Sequence, residues 1–215
     1  MKKIMFNDRY GLTQAVLEGK KTMTRRRIHF PGIDDEDVSK PVMGIDEKGR
    51  VYFTFDARTE DVDIYPKYQI GERVAVAQSY RTVYENYCND DKNPIYDAYK
   101  KTHVSKTNGA GFFNKLFVRA DLMPHVIKIT NIKAERLQDI SDDDCLKEGI
   151  HVHNPEPGNP NFIGYAYDAT PGTNVKRWWF HTPREAFAAL INRVSGPQTW
   201  ESNPWVIAYT FELVD

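Results

Sequence analysis

From Trp205 to Leu213 an apolar side chain stands at every second position: Trp205, Ile207, Tyr209, Phe211 and Leu213. A period of two marks a strand with one buried face, and Asn203-Pro204 launches it. A helix would scatter these five residues around its circumference, so the segment commits the fold to a long closing strand and to a sheet for it to join. Other segments read as its neighbours. Val126-Ile127-Lys128-Ile129-Thr130 is a central strand with Ile127 and Ile129 inward, and Gly71-Glu72 opens a strand on which Val74, Val76 and Gln78 share a face. Val51-Tyr52-Phe53-Thr54-Phe55 follows the turn-rich Asp46-Glu47-Lys48-Gly49-Arg50 and reads as one arm of a hairpin.

Three short helices fit between the strands. Leu12, Ala15 and Val16 recur at helical spacing behind an Asn7/Asp8 cap, and Gly19 supplies the left-handed end. Ser141 with Asp144 forms a capping box ahead of a short helix reaching about Glu148 and stopped by Gly149. Thr182, Pro183 and Glu185 cap a third, with Phe187, Leu190, Ile191 and Val194 as its apolar stripe and Gly196-Pro197 as its stop. Strands without a βαβ rhythm predict an α+β chain, a small and mostly antiparallel β-barrel decorated by short helices. With 215 residues and 40% hydrophobic content, one domain spans 1–215, with insertions at about 29–66 and 81–122. In the second of these the pattern dissolves around Tyr84, Tyr96 and Tyr99 and Asn108-Gly109-Ala110-Gly111, which reads as an excursion from the core.

A net charge of −1 excludes bulk coating of nucleic acid, so any cationic site is local. Cys88 and Cys145 have neither disulfide nor metal spacing, no apolar run reaches the length of a membrane span, and the N-terminus lacks a signal peptide; the expectation is a cytoplasmic protein without membrane contact. The exception to the even charge is Lys20, Lys21, Arg25, Arg26 and Arg27, crowded around Thr22, Met23 and Thr24. An edge strand protected by solvated charge is one reading. The other is that something negative answers the crowding, within the fold or as a ligand. Glu148 is the matching anomaly, a carboxylate in the last turn of a helix, where the macrodipole disfavours it by about 0.3–1 kcal/mol. Lys21 and Arg25 are its candidate acceptors.

His151 and His153 share a face of an extended segment, but no third well-spaced ligand accompanies them, and no metal is expected. Trp178-Trp179-Phe180-His181 reads as core and staple ahead of the capped helix. No glycine-rich phosphate loop, nucleophile elbow or dinucleotide fingerprint is present, so no cofactor is expected.

Gly19-Lys20-Lys21-Thr22-Met23-Thr24-Arg25-Arg26 resembles the motif of the ASCH domain family, in the PUA-like superfamily. Tyr68-Gln69-Ile70-Gly71-Glu72-Arg73-Val74, Met123-Pro124, the run from Ala134-Glu135-Arg136-Leu137-Gln138-Asp139-Ile140 to Glu148-Gly149-Ile150, and Asn203-Pro204-Trp205-Val206 are similar to further segments of its longer, often prophage-associated members. The resemblance implies a PUA-like barrel with a cleft that binds RNA or a modified nucleoside or nucleotide, with Thr22, Arg25, Arg26 and Gln78 as contacts. Some short members are amidohydrolases that deacylate N4-acetylcytidine, and carried over by position their catalytic set is Lys21, Thr24 and Glu148. In that alternative Thr24 attacks the amide, Lys21 accepts its proton, and Glu148 orients the lysine or protonates the leaving amine. Ala75-Val76-Ala77-Gln78 departs from a Trp-Val-Arg-Glu run of the longer members, which implies a different ligand if that run contacts one. A flat strand would put Lys21 and Thr24 on opposite faces, so the site requires a turn or bulge between them.

Overall fold

The computed structural model describes residues 1–30, 37–57, 60–87, 94–103, 109–153, 163–168 and 179–214. Its elements run β1 (Lys2–Ile4), α1 (Leu12–Leu17), β2 (Met23–Arg27), β3 (Val42–Ile45), β4 (Val51–Phe55), β5 (Val62–Ile64), β6 (Arg73–Val76), α2 (Tyr80–Tyr87), α3 (Pro94–His103), β7 (Val126–Arg136), α4 (Asp142–Lys147), β8 (His151–His153), β9 (Gly164–Ala166), α5 (Pro183–Val194) and β10 (Trp205–Leu213). Cys88, Asn108, Trp178 and the acidic run 34–36 lie outside the described residues.

Five strands form the principal sheet in the order β1-β6-β7-β10-β2, antiparallel throughout except for the parallel pair β1–β6. A second sheet is β3-β4-β5 and a third β8-β9. The architecture is therefore α+β with mostly antiparallel sheets, and among the described residues no sheet closes on itself: β1 and β2 are the edges of the largest. No described helix is long and apolar enough to cross a membrane.

β10 is hydrogen-bonded on both sides, with Ala208 opposite Lys133 of β7 and Arg25 of β2. Trp205 and Tyr209 meet Phe55 and Tyr68 edge to face, with ring centroids 5.3 and 5.4 Å apart. The expectation of a single buried face is corrected here, because Val206 and Ala208 are buried as well. Their face is roofed by α4 and α5, so the chain's longest alternating strand lies between two layers.

Among the described residues of the segment 81–122, read as an excursion, are the helices α2 and α3, and Tyr80, Val83 and Ile95 join Ala75, Ala77, Val118 and Met123 in a small core apart from the main one. Tyr84 stacks on Tyr99 with centroids 4.0 Å apart. At α1 the cap shifts: Asn7 caps a preceding 3-10 turn, Asp8–Tyr10, and Gly11 in the left-handed region is the N-cap of the helix. β6 ends at Val76, so Gln78 lies beyond the strand on which it was expected to share a face. α5 carries the full capping box of Thr182 and Glu185, and Ser141 caps α4 through the Asp144 N–H.

Candidate functional site

The cations around β2 divide into two sets. Lys20, Arg26 and Arg27 are exposed, whereas Lys21 and Arg25 are only 2% and 6% exposed. Buried charges must be paired and hydrogen-bonded, and these are. Lys21 lies in the turn between α1 and β2, its N–H donating to the Ala15 carbonyl. Its Nζ donates to Glu148 Oε2 at 2.5 Å and to the Glu148 carbonyl at 2.7 Å. Arg25 spreads its guanidinium over three carboxylates: Nε to Glu135 at 2.9 Å, Nη1 to Glu148 at 3.0 Å and Nη2 to Asp144 at 3.1 Å. Lys133 stands 2.6 Å from the other oxygen of Glu135. The carboxylate at the C-cap of α4, disfavoured by the helix dipole, is thus answered by two cations from another element.

Two opposing effects act on these groups. Burial lowers the pKa of Lys21, Glu148 works against that, and Arg26 and Arg25 lower it further. Burial also opposes the charge on Arg25, but Glu148 and Glu135 outweigh it and raise its pKa. Cys145, buried beneath the cluster, has its thiol pushed up to about 12, chiefly by burial, which removes it as a nucleophile.

Lys21, Thr24, Arg25, Arg26 and Glu148 all line one cleft of about 60 Å³, closed by Phe6, Leu12 and Phe187. The helix-to-strand turn makes this possible: Lys21 precedes the strand, so strand alternation does not separate it from Thr24. Thr24 is 5% exposed, and its hydroxyl has no hydrogen-bond partner among the described residues. Thr22 stays outside, its peptide group bonded to the Lys147 carbonyl and the Phe211 N–H. Gln78 is not brought to the cleft either; it lines a separate cavity. Glu135 and Asp144 were not among the expected site residues. Asp144 read as a cap, and Glu135 stood only within the segment that resembles the family.

Arg26 and Met5 are shared with an adjoining groove of about 420 Å³, walled by Lys3, Arg26, Arg27, His29, Lys67 and the rings of Tyr65 and Tyr68. No carboxylate is among its described wall residues. Arg26 donates to the Met5 carbonyl at 2.6 Å and lies over the Phe6 ring. Among the described residues no three His, Cys, Asp or Glu side chains are placed to hold a metal ion; His151 sits on β8 with Nε2 3.7 Å from Asp168. Comparison of the chain with protein-family models, curated proteins and solved structures gave no match.

Proposed function

We propose that the chain is a PUA-like protein of the ASCH type that binds RNA or a modified nucleoside or nucleotide. The groove beside the cleft carries this reading: it joins five basic side chains to three tyrosine rings, with no carboxylate among its described wall residues. Cations suit phosphate, aromatic faces suit bases, and about 420 Å³ falls within the usual range of ligand sites, about 300–1,000 Å³. The cleft itself, at about 60 Å³, has room for a few water molecules or a small acyl group. The motif positions support the family reading too. The Gly-Lys-Lys-Thr run turns from α1 into β2, Met123-Pro124 precedes β7, Glu148-Gly149-Ile150 closes α4, and Asn203-Pro204 opens β10. In this reading Arg25, enclosed by acids, holds the cleft together, and Arg26 is the guanidinium that meets ligand.

The free Thr24 hydroxyl favours a second reading, an amidohydrolase for an N4-acylcytidine. Thr24 Oγ would add to the acyl carbon as its proton passes to a neutral Lys21 amine. The C–N bond then breaks as that proton moves to the leaving amine, and water releases the acyl group from Thr24. Burial favours the neutral amine this requires.

Titration of short single-stranded RNA and of nucleosides at rising salt tests the first reading. Affinity should fall with the slope of one to three phosphate contacts, and Arg26→Ala with Lys67→Ala should flatten that slope. Absence of binding to any nucleoside, nucleotide or oligonucleotide at low salt overturns it. Incubation with N4-acetylcytidine, followed by chromatography, decides between binder and hydrolase.

A further inference from the structure

An open sheet edge invites pairing with another chain, and folds blunt such edges with charge or proline. β1, β2 and β5 follow that rule, carrying Lys2 and Lys3, Arg26 and Arg27, and Asp63. β3 does not. It is an outer strand of its sheet, reads Val42-Met43-Gly44-Ile45 without charge or proline, and leaves Val42 72%, Met43 55% and Ile45 67% exposed. Residues opposite each other in a ladder share a face, and Met43 and Ile45 stand opposite Phe53 and Val51, which are buried in the main core. The core-side face of this sheet thus runs out past its last strand as exposed apolar side chains.

The backbone determines which groups are open. The Asp46 N–H donates to the Arg50 carbonyl at 3.0 Å, so the ladder bonds alternate from that pair to Gly44–Tyr52 and Val42–Thr54, and Met43 and Ile45 turn their N–H and C=O away from β4. Val51, opposite Ile45, shows the same alternation: its N–H and C=O are both bonded to the Gln69 side chain, at 2.6 and 3.2 Å. An antiparallel copy of β3 fits the open groups. With a two-fold axis at Gly44, Met43 of each chain lies opposite Ile45 of the other, every such pair exchanges both of its bonds, and the apolar side chains form one continuous patch. Gly44 suits the axis, because the Tyr52 ring lies over it so closely that a Cβ there would come within 2.4 Å. Charge selects the direction. Lys40 and Glu47, at opposite ends of β3, are exposed and have no ion-pair partner among the described residues. Antiparallel pairing brings Lys40 to the Asp46-Glu47 end of the other chain, with Lys48 one residue further into the turn, whereas parallel pairing would set like charges together. We propose that the protein self-associates through β3 as a two-fold dimer whose β3-β4-β5 sheets join into one.

So short an edge buries less than the about 1,200 Å² of a standard interface, and the dimer should be weak, with a dissociation constant on the order of 0.1 mM. Sedimentation of the whole protein from about 10 μM to about 1 mM should show monomer giving way to dimer. Met43→Lys and Ile45→Glu, both at exposed positions, should each weaken association tenfold or more. Mixed one to one, the two variants should associate again, because position 43 of one chain faces position 45 of the other and the introduced lysine meets the introduced glutamate. A protein that stays monomeric at about 1 mM, even one whose edge accepts an added extended peptide, overturns the proposal. So does association that is unchanged in both variants, or a mixture of the two that fails to associate.

Discussion

Two buried threonines sit beside a lysine and a carboxylate in this fold, and they are used in opposite ways. Thr13 is bonded to Asp8 and to Lys115, whose Nζ also reaches Asp8 at 2.6 Å and the Phe6 carbonyl at 2.5 Å. In the cleft, Lys21 and Glu148 bond to each other, and Arg25 completes the pairing, while Thr24 is left out. The residue types are the same; the hydrogen-bond accounting differs. A hydroxyl that already donates to a carboxylate stabilises its surroundings, whereas one without a partner is available to a ligand or to an acyl carbon. Composition alone cannot separate a structural Lys-Thr-acid trio from a reactive one.

The sharpest way to break this comparison is to mutate the two threonines in parallel. If the protein is a hydrolase, Thr24→Val takes turnover of N4-acetylcytidine to background with little change in the denaturation midpoint, because no internal hydrogen bond is lost. Thr13→Val should do the reverse, costing about 0.5–1.5 kcal/mol, the net worth of a lost internal hydrogen bond, since Lys115 and Asp8 keep each other. Equal stability losses in the two variants would erase the distinction.

Arg25→Leu should be the most damaging change to stability. It leaves Glu135, Glu148 and Asp144 each with a single lysine, Lys133, Lys21 and Lys147, around an apolar side chain, and breaking a buried charge cluster on one side costs about 3–5 kcal/mol. Urea denaturation measures this, and a loss below 1 kcal/mol would mean that the carboxylates are reached by water after all.

The smallest effect is in pH. Burial lowers the pKa of both Lys21 and Lys115 below the ordinary 10.5, although Glu148 and Asp8 oppose it. Between the lowered values and 10.5 the unfolded chain holds more protons than the folded one, so stability rises with pH through that window. The rise ends near pH 10, where the phenols of Tyr68 and Tyr209 begin to act the other way: burial raises both, Tyr209 to about 12, so the unfolded chain loses those protons first. Denaturation midpoints followed on the alkaline side up to about pH 10 should climb in wild type and climb less in Lys21→Met. If turnover exists, it should rise over the same window as the Lys21 amine becomes neutral.

Local signals proved the readable part of this chain. The capping box of α5, the left-handed Gly19 and the alternation of β10 depend on neighbours in sequence, and the structure contains all three. The crowding around Lys21 and Arg25 announced that an anion was needed, and Glu148 stood out because a helix end repels it. Glu135 gave no such sign. Its contact with Arg25 exists because β10 lies between β7 and β2, and strand order is not written in any local pattern. The helices α2 and α3 were missed for a related reason. Tyr80, Val83, Tyr84 and Tyr87 do have helical spacing, but lysines and tyrosines bury little until a second helix stacks against them. Gln78 was misplaced because strand alternation was carried past the end of β6.

The position of Ala208 has a consequence in time. Arg25 reaches Glu135 across the single methyl group that Ala208 contributes to this face of β10, linking residues 110 apart in sequence, and Lys21 meets Glu148 across 127. The Arg25–Glu135 contact spans β10, so it needs the last strand inserted between two that were made long before it. A chain stopped short of β10 would contain every charged residue of the cleft and yet leave β2 without its neighbour, its cations still open to water. Closure of such long loops is slow, so the site matures at the end of folding, and ligand affinity should return later in refolding than helical signal does.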